Sequence, residues 1–180
     1  GRTNDTTNQG WAVRTIDATA QSSLTGGSEM WFSFLYNSSG GEDFAFLFGD
    51  FDDMTGSGDP TLASAGHAFG LGVNGTSWTT LTFDGSTTGS STAGTNLGTS
   101  TVFIAGKITW DDAGSGGLDK LELFNVPDMN TAEGDLVAFS TATADLTQSG
   151  FDTVGLWDRP NNIGRIDEIR LADRYAEART

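Results

Sequence analysis

Four carboxylates crowd one short stretch of the chain: Asp50, Asp52, Asp53 and Asp59 lie within DFDDMTGSGDP, where glycines let carboxylate and carbonyl oxygens converge. Hard oxygen donors of this kind suit Ca²⁺, and these four residues are the expected metal ligands, although Met54 breaks the pattern of an EF-hand loop. A second acidic group, Asp111 and Asp112 with Asp119 across a Gly-rich turn, is a weaker candidate, because such a composition also serves a tight hairpin. The other chemistry on offer is sugar recognition. Trp157 is followed by Asp158, Arg159, Pro160, Asn161 and Asn162, so a flat indole stands beside charged and amide groups able to bond hydroxyls. Together with Trp78, placed near a strand start, these residues form the expected carbohydrate-binding set: Trp157, Asp158, Arg159, Asn161, Asn162 and Trp78. The competing role for each tryptophan is core packing.

No catalytic constellation stands out. The chain has no cysteine and one histidine. His67 alternates in phase with Phe69 and Leu71, which makes it a structural histidine on an apolar strand face. In Arg165-Ile166-Asp167-Glu168-Ile169-Arg170, the alternation turns Asp167 toward a buried face, where Arg14 or Arg165 would have to pair with it. The expected class is therefore a non-enzyme.

The elements that must position these residues are strands. Twenty-five glycines, abundant Ser and Thr, and only 18% charged residues describe many short strands joined by turns. A length of 180 residues suits one domain spanning 1–180. With 24 acidic against 9 basic residues the net charge is −15, which disfavours nucleic acid and anionic lipid surfaces. No apolar run reaches the roughly 18 residues of a membrane helix. Because the chain begins at Gly1, any export signal or anchor is expected to have been removed.

Alternation places strands over Trp11 to Ala18, Glu29 to Tyr36, Asp43 to Phe51, Ala65 to Val73, Trp78 to Asp84, Thr101 to Trp110, Lys120 to Val126, Leu136 to Ser140 and Phe151 to Trp157. A final strand over Ile163 to Leu171 is expected to form a closing hairpin with Val154 to Trp157. Glu29 to Tyr36 and Asp43 to Phe51 are expected to form another, and Asn74-Gly75 marks a third turn. One helical turn is expected near Thr131 to Gly134. Ten or so strands with no convincing helix imply an all-β, two-sheet antiparallel sandwich or jelly roll.

The WDDAGSGGLDKLELF hairpin, followed by VGLWDR and RIDEIRLADRY, resembles the concanavalin A-like lectin and glucanase superfamily, most closely its laminin G-like jelly-roll modules of secreted bacterial proteins. That resemblance implies an antiparallel jelly roll with a concave face and, in many members, glycan binding or Ca²⁺ at a sheet rim. The superfamily also holds hydrolases with an E-x-D-x-x-E strand that sets two carboxylates about 5 Å apart. This chain lacks that spacing. The expectation is thus a lectin-like, non-catalytic module, extracellular or at the cell surface, with a glycan or polysaccharide as partner. The alternative is a structural or adhesive module that binds other extracellular proteins or itself.

Overall fold

The computed structural model describes residues 10–37, 42–52, 54–55, 61–62, 66–85, 90–91, 94–158 and 165–179. The strands are β1 (Gly10–Thr15), β2 (Glu29–Asn37), β3 (Glu42–Asp50), β4 (Met54–Thr55), β5 (Thr61–Leu62), β6 (His67–Gly75) and β7 (Ser77–Asp84). They continue with β8 (Ser90–Ser91), β9 (Thr95–Asn96), β10 (Val102–Asp112), β11 (Leu118–Asn125), β12 (Ser140–Ala144), β13 (Thr153–Asp158) and β14 (Arg165–Ala172). Two helices join them, α1 (Ala18–Thr25) and α2 (Tyr175–Ala178). The seven-stranded sheet runs β1-β13-β3-β6-β7-β8 with β9 also on β7, and the five-stranded sheet runs β12-β11-β10-β2-β14. All their pairings are antiparallel, and the expected all-β sandwich is what forms.

The inward-facing residues explain the layering. Phe44, Phe46 and Phe48 of β3, with Phe69, Leu71 and Val73 of β6, meet Met30, Phe32, Phe34 and Tyr36 of β2 and Ile104 and Ile108 of β10 in one buried cluster. The rings interlock across the layer: Phe32 to Phe46 at 5.0 Å, Tyr36 edge-on to Trp78 at 4.9 Å, and Phe69 edge-on to Trp110 at 5.9 Å. Each such ring contributes about 1.5–3 kcal/mol through burial, so the aromatic content is concentrated where it stabilises most.

Both outer faces are covered as well. On the seven-stranded sheet, Phe51, Met54 and Leu62 pack on Ala45, Leu47, Ala68, Leu81, Phe83 and Trp157. On the five-stranded sheet, Trp31, Phe103, Ala105 and Phe124 are covered by Val126 and by Tyr175 and Ala178 of α2. Tyr175 lies 5.0 Å from Trp31, and Arg179 Nη1 donates to the Met129 and Thr131 carbonyls, holding the 126–139 segment against the C-terminal turn.

Two expected hairpins do not exist. β2 lies in the five-stranded sheet and β3 in the seven-stranded one, and β13 and β14 are divided the same way. In both cases the chain crosses between layers, because the apolar faces of the two strands meet across the core instead of side by side. The expected hairpin at Asn74-Gly75 does form, as β6 and β7, and β10 pairs with β11. The strand expected at Leu136 to Ser140 begins only at Ser140, and the expected helical turn is a 3₁₀ turn at Glu133–Asp135. Helix α1 replaces the end of the first expected strand. Asp17 caps it, its Oδ1 accepting from Thr19 N at 2.9 Å and Ala20 N at 3.1 Å.

Candidate functional site

The two tryptophans expected to stack on a sugar are core residues. Trp78 and Trp157 are each 1% exposed, one packed between the sheets and the other in the cluster under Phe51 and Met54. Neither presents a ring face to a ligand. The physical reason is strand phase: Trp78 faces inward with Thr80 and Thr82, and Trp157 lies in register beside Ala45, whose small side chain leaves room for an indole. Asp158 ends β13, half-buried and paired in register with Gly10. Arg159, Asn161 and Asn162 lie outside the described residues.

The indole that does reach solvent is Trp11. It stands directly across from Trp157 on β1, the outermost strand of the seven-stranded sheet, and is 51% exposed. Alternation along β1 puts it on one strand face with Val13 and Thr15. Which strand lies at the sheet edge is a property of the pairing order, so nothing local distinguished Trp11 from the buried tryptophans. At the same sheet end, Asp158 leads into the segment that carries Arg159, Asn161 and Asn162.

Of the expected metal ligands, Asp50 and Asp52 are exposed, while Asp53 and Asp59 lie outside the described residues. Asp50 pairs in register with His67 at the end of β3 and β6, and His67 pairs onward with Asp84. Among the described residues no group of three His, Asp or Glu side chains is arranged to hold a metal ion. His67 is half-buried, and its Nδ1 accepts from Thr147 N at 3.3 Å, which is a structural role.

Asp119 is the acidic residue with the most unusual surroundings. It is 6% exposed, with Oδ1 accepting from Asp111 N at 3.0 Å and Oδ2 from Leu146 N at 2.7 Å. Burial pushes its pKa above the usual carboxylate value. The two backbone bonds oppose that shift, and the Asp111 and Asp145 charges add to it. The carboxylate therefore ties the β10–β11 turn to the 145–147 segment. Asp111 adopts φ 48° there, the left-handed region.

The buried ion pair expected of Asp167 is also corrected. A bulge between Asp167 and Arg170 puts Glu168 at φ 58° and shifts the register. Asp167 is exposed and accepts from Glu168 N at 2.9 Å, while Arg170 pairs with Glu168 at 2.7 Å. The extra residue breaks the period-2 rule by which Asp167 would have followed Leu171 inward. Elsewhere Lys107 bridges Glu29 at 2.6 Å and Glu133 at 3.1 Å, with its ammonium 5.1 Å from the Trp31 ring centre. Burial acts to lower the Lys107 pKa, and the bonds and charges of the two glutamates outweigh it, so the pKa lies above the ordinary lysine value.

No family model matches the chain, and no curated protein matches it. Solved structures match in fold. A bifunctional GH43-CE protein of Bacteroides eggerthii superposes with a TM-score of 0.50 at 14% identity, over 93% of this chain and 20% of its own. The CBM2 module of the evolved Dit of Lactobacillus casei BL23 phage J-1 gives 0.45 at 11% identity, over 91% of this chain and 67% of its own. A botulinum neurotoxin type C structure, described as dependent on two ganglioside molecules for cell entry, gives 0.39 at 11% identity, over 91% and 36%. The first match shows the sandwich fold, and this chain spans about a fifth of that protein.

Proposed function

We propose that this chain is a non-catalytic carbohydrate-binding module of the lectin-like, laminin G-like kind, acting at the cell surface or outside the cell. The observation that carries the reading is the solvent-exposed indole of Trp11 at the edge of the seven-stranded sheet. A half-exposed tryptophan leaves apolar ring surface in water, and the C–H face of a pyranose can cover it while the ring hydroxyls stay bonded to water or polar groups. Asp158 lies at that sheet end and is followed in the sequence by Arg159, Asn161 and Asn162, and we assign these carboxylate, guanidinium and amide groups to those hydroxyls. Binding of this kind is stacking plus directed hydrogen bonds, with no covalent step. Ca²⁺ held by Asp50, Asp52, Asp53 and Asp59 belongs to the same proposal as a structural ion.

A glycan array followed by calorimetry, with Ca²⁺ and then with chelator, tests it. Trp11→Ala is expected to weaken binding at least about tenfold, equivalent to roughly 1.4 kcal/mol. It should move folding stability by less than about 1 kcal/mol, because the side chain is half in water. Wild-type affinity in the variant would sink the proposal. One observation favours a second reading, assembly with a partner protein or a second copy: β1 has a strand neighbour on only one side among the described residues. Oligomers that grow with concentration in light scattering and disappear in Trp11→Ala, with no glycan bound, would select it.

A further inference from the structure

A second candidate lies at the other end of β1. There an open cleft of about 510 Å³ separates α1 from the 3₁₀ turn Gln148–Gly150, lined by Gln21, Ser22, Thr25, Gln148 and Ser149. Its volume falls in the range of about 300–1,000 Å³ typical of small-ligand sites. All five lining side chains are uncharged and able to form hydrogen bonds, which is a restricted chemistry for a molecule of net charge −15.

The two glutamines reach across in opposite directions. Gln21 Nε2 donates to the Ser149 carbonyl at 3.2 Å, and Gln148 Nε2 donates to the Gly27 carbonyl at 3.0 Å and to the Thr25 carbonyl. Each amide thus spends donors on the opposite wall and is held in one orientation. Their Oε1 acceptors, and the Ser22 and Ser149 hydroxyls, have no protein hydrogen-bond partner among the described residues. One of those acceptors, the Thr25 carbonyl, belongs to the last turn of α1, so the partial negative charge of that helix end lies at the cleft.

The walls are anchored from behind. Leu146 N donates to Asp119 Oδ2 at 2.7 Å, Thr147 N to His67 Nδ1 at 3.3 Å, and Asp152 N to the Gly49 carbonyl at 3.0 Å. On the other side Asp17 caps α1, and Leu24 is buried in the main core. Little ordering is therefore left to be done when a ligand arrives.

From this geometry we infer that the cleft between α1 and the Gln148–Gly150 turn is a binding subsite for a neutral, polyhydroxylated ligand, a saccharide that carries no acidic groups. Fixed carbonyl acceptors and the helix C-terminus call for O–H donors and oppose anions. The Ser22 and Ser149 hydroxyls can donate or accept, as alternating sugar hydroxyls require. Because the cleft is open, affinity should be weak, with Kd on the order of 0.1–1 mM. The subsite does not depend on Trp11, and it deepens the module reading by naming the ligand class.

The test is an NMR titration of the full chain with xylohexaose, cellohexaose and maltohexaose, each to about 10 mM, following the side-chain amide signals of Gln21 and Gln148. The expected result is saturable shifts of both amides with at least one of the three sugars. Affinity should fall at least about tenfold in Ser22→Trp, whose bulk fills the cleft from an exposed position, and should be unchanged at these signals in Trp11→Ala. No shift of either amide with any of the three sugars would overturn the inference, as would shifts that survive in a folded Ser22→Trp. Binding that vanishes in Trp11→Ala while the glutamine amides stay silent would support the Trp11 reading and remove the cleft. Binding at the amides with Trp11→Ala at wild-type affinity throughout would do the reverse.

Discussion

Asp119 carries its carboxylate into the end of the sandwich, where two backbone N–H groups depend on it. Asp119→Ala would leave both unpartnered, and at about 1–3 kcal/mol for each buried orphan the expected destabilisation is about 2–6 kcal/mol in chemical denaturation. The pH dependence has a defined sign. Since the folded pKa is raised above the usual value of 3.8, folding takes up a proton, so this residue's contribution is fully present in acid and is lost as pH rises through the raised pKa. The stability of the natural chain relative to Asp119→Asn should therefore fall as pH is raised from about 4 toward neutrality. A flat difference would show that the carboxylate ionises as in the unfolded chain. Trp11 belongs to the same scale: its identity was plain in the chain, and its accessibility was not.

At the scale of elements, β4 and β5, which pair antiparallel as a separate two-stranded ribbon, show how a bare strand face is used. Alternation along β6 puts Ala68, Gly70 and Gly72 on one side, a face almost bare of side chains. Bulk occupies it. Phe51, Met54 and Leu62 lie on that face, and a Cβ added at Gly155 would fall 2.4 Å from Met54 Sδ and 2.8 Å from Phe51 Cε2. Gly155→Val should then destabilise by roughly 1–3 kcal/mol through overpacking. Gly134→Ala, where nothing lies within 4 Å, should stay within about 0.5 kcal/mol. Equal effects in thermal unfolding would mean that the ribbon does not seat on β13. The crossovers between β2 and β3 and between β13 and β14 follow the same logic, because two strands whose large residues are all needed in one core stabilise more by facing each other than by pairing.

For the whole molecule, charge and packing act on different parts. Among the described residues the interior is aromatic and, Asp119 apart, uncharged, and a net charge of −15 is left mostly to the surface. Self-repulsion among those carboxylates reaches about 10 Å at 0.1 M salt, so raising NaCl from about 20 mM to about 0.5 M should raise the melting temperature by a few degrees. A melting temperature that falls or stays constant would show that attractive pairs such as Lys107 with Glu29 and Glu133 outweigh the repulsion.

By itself the amino-acid sequence determined the class of the molecule. Period-2 alternation in segments such as Met30 to Tyr36 and Phe44 to Phe48 needs only local geometry to be read, and it yielded an all-β sandwich with most strands near their observed bounds. Turn chemistry likewise gave the β6–β7 and β10–β11 hairpins. Long-range pairing was decided only in three dimensions: which strands share a sheet, which strand lies at the edge, and where a bulge inverts the phase. Those choices buried Trp78 and Trp157, exposed Trp11, turned Asp167 outward, and brought Gln21 within reach of a residue 128 positions away. The physical reason is that a strand's own pattern says which of its faces is apolar, while what covers that face depends on packing energies summed over distant segments.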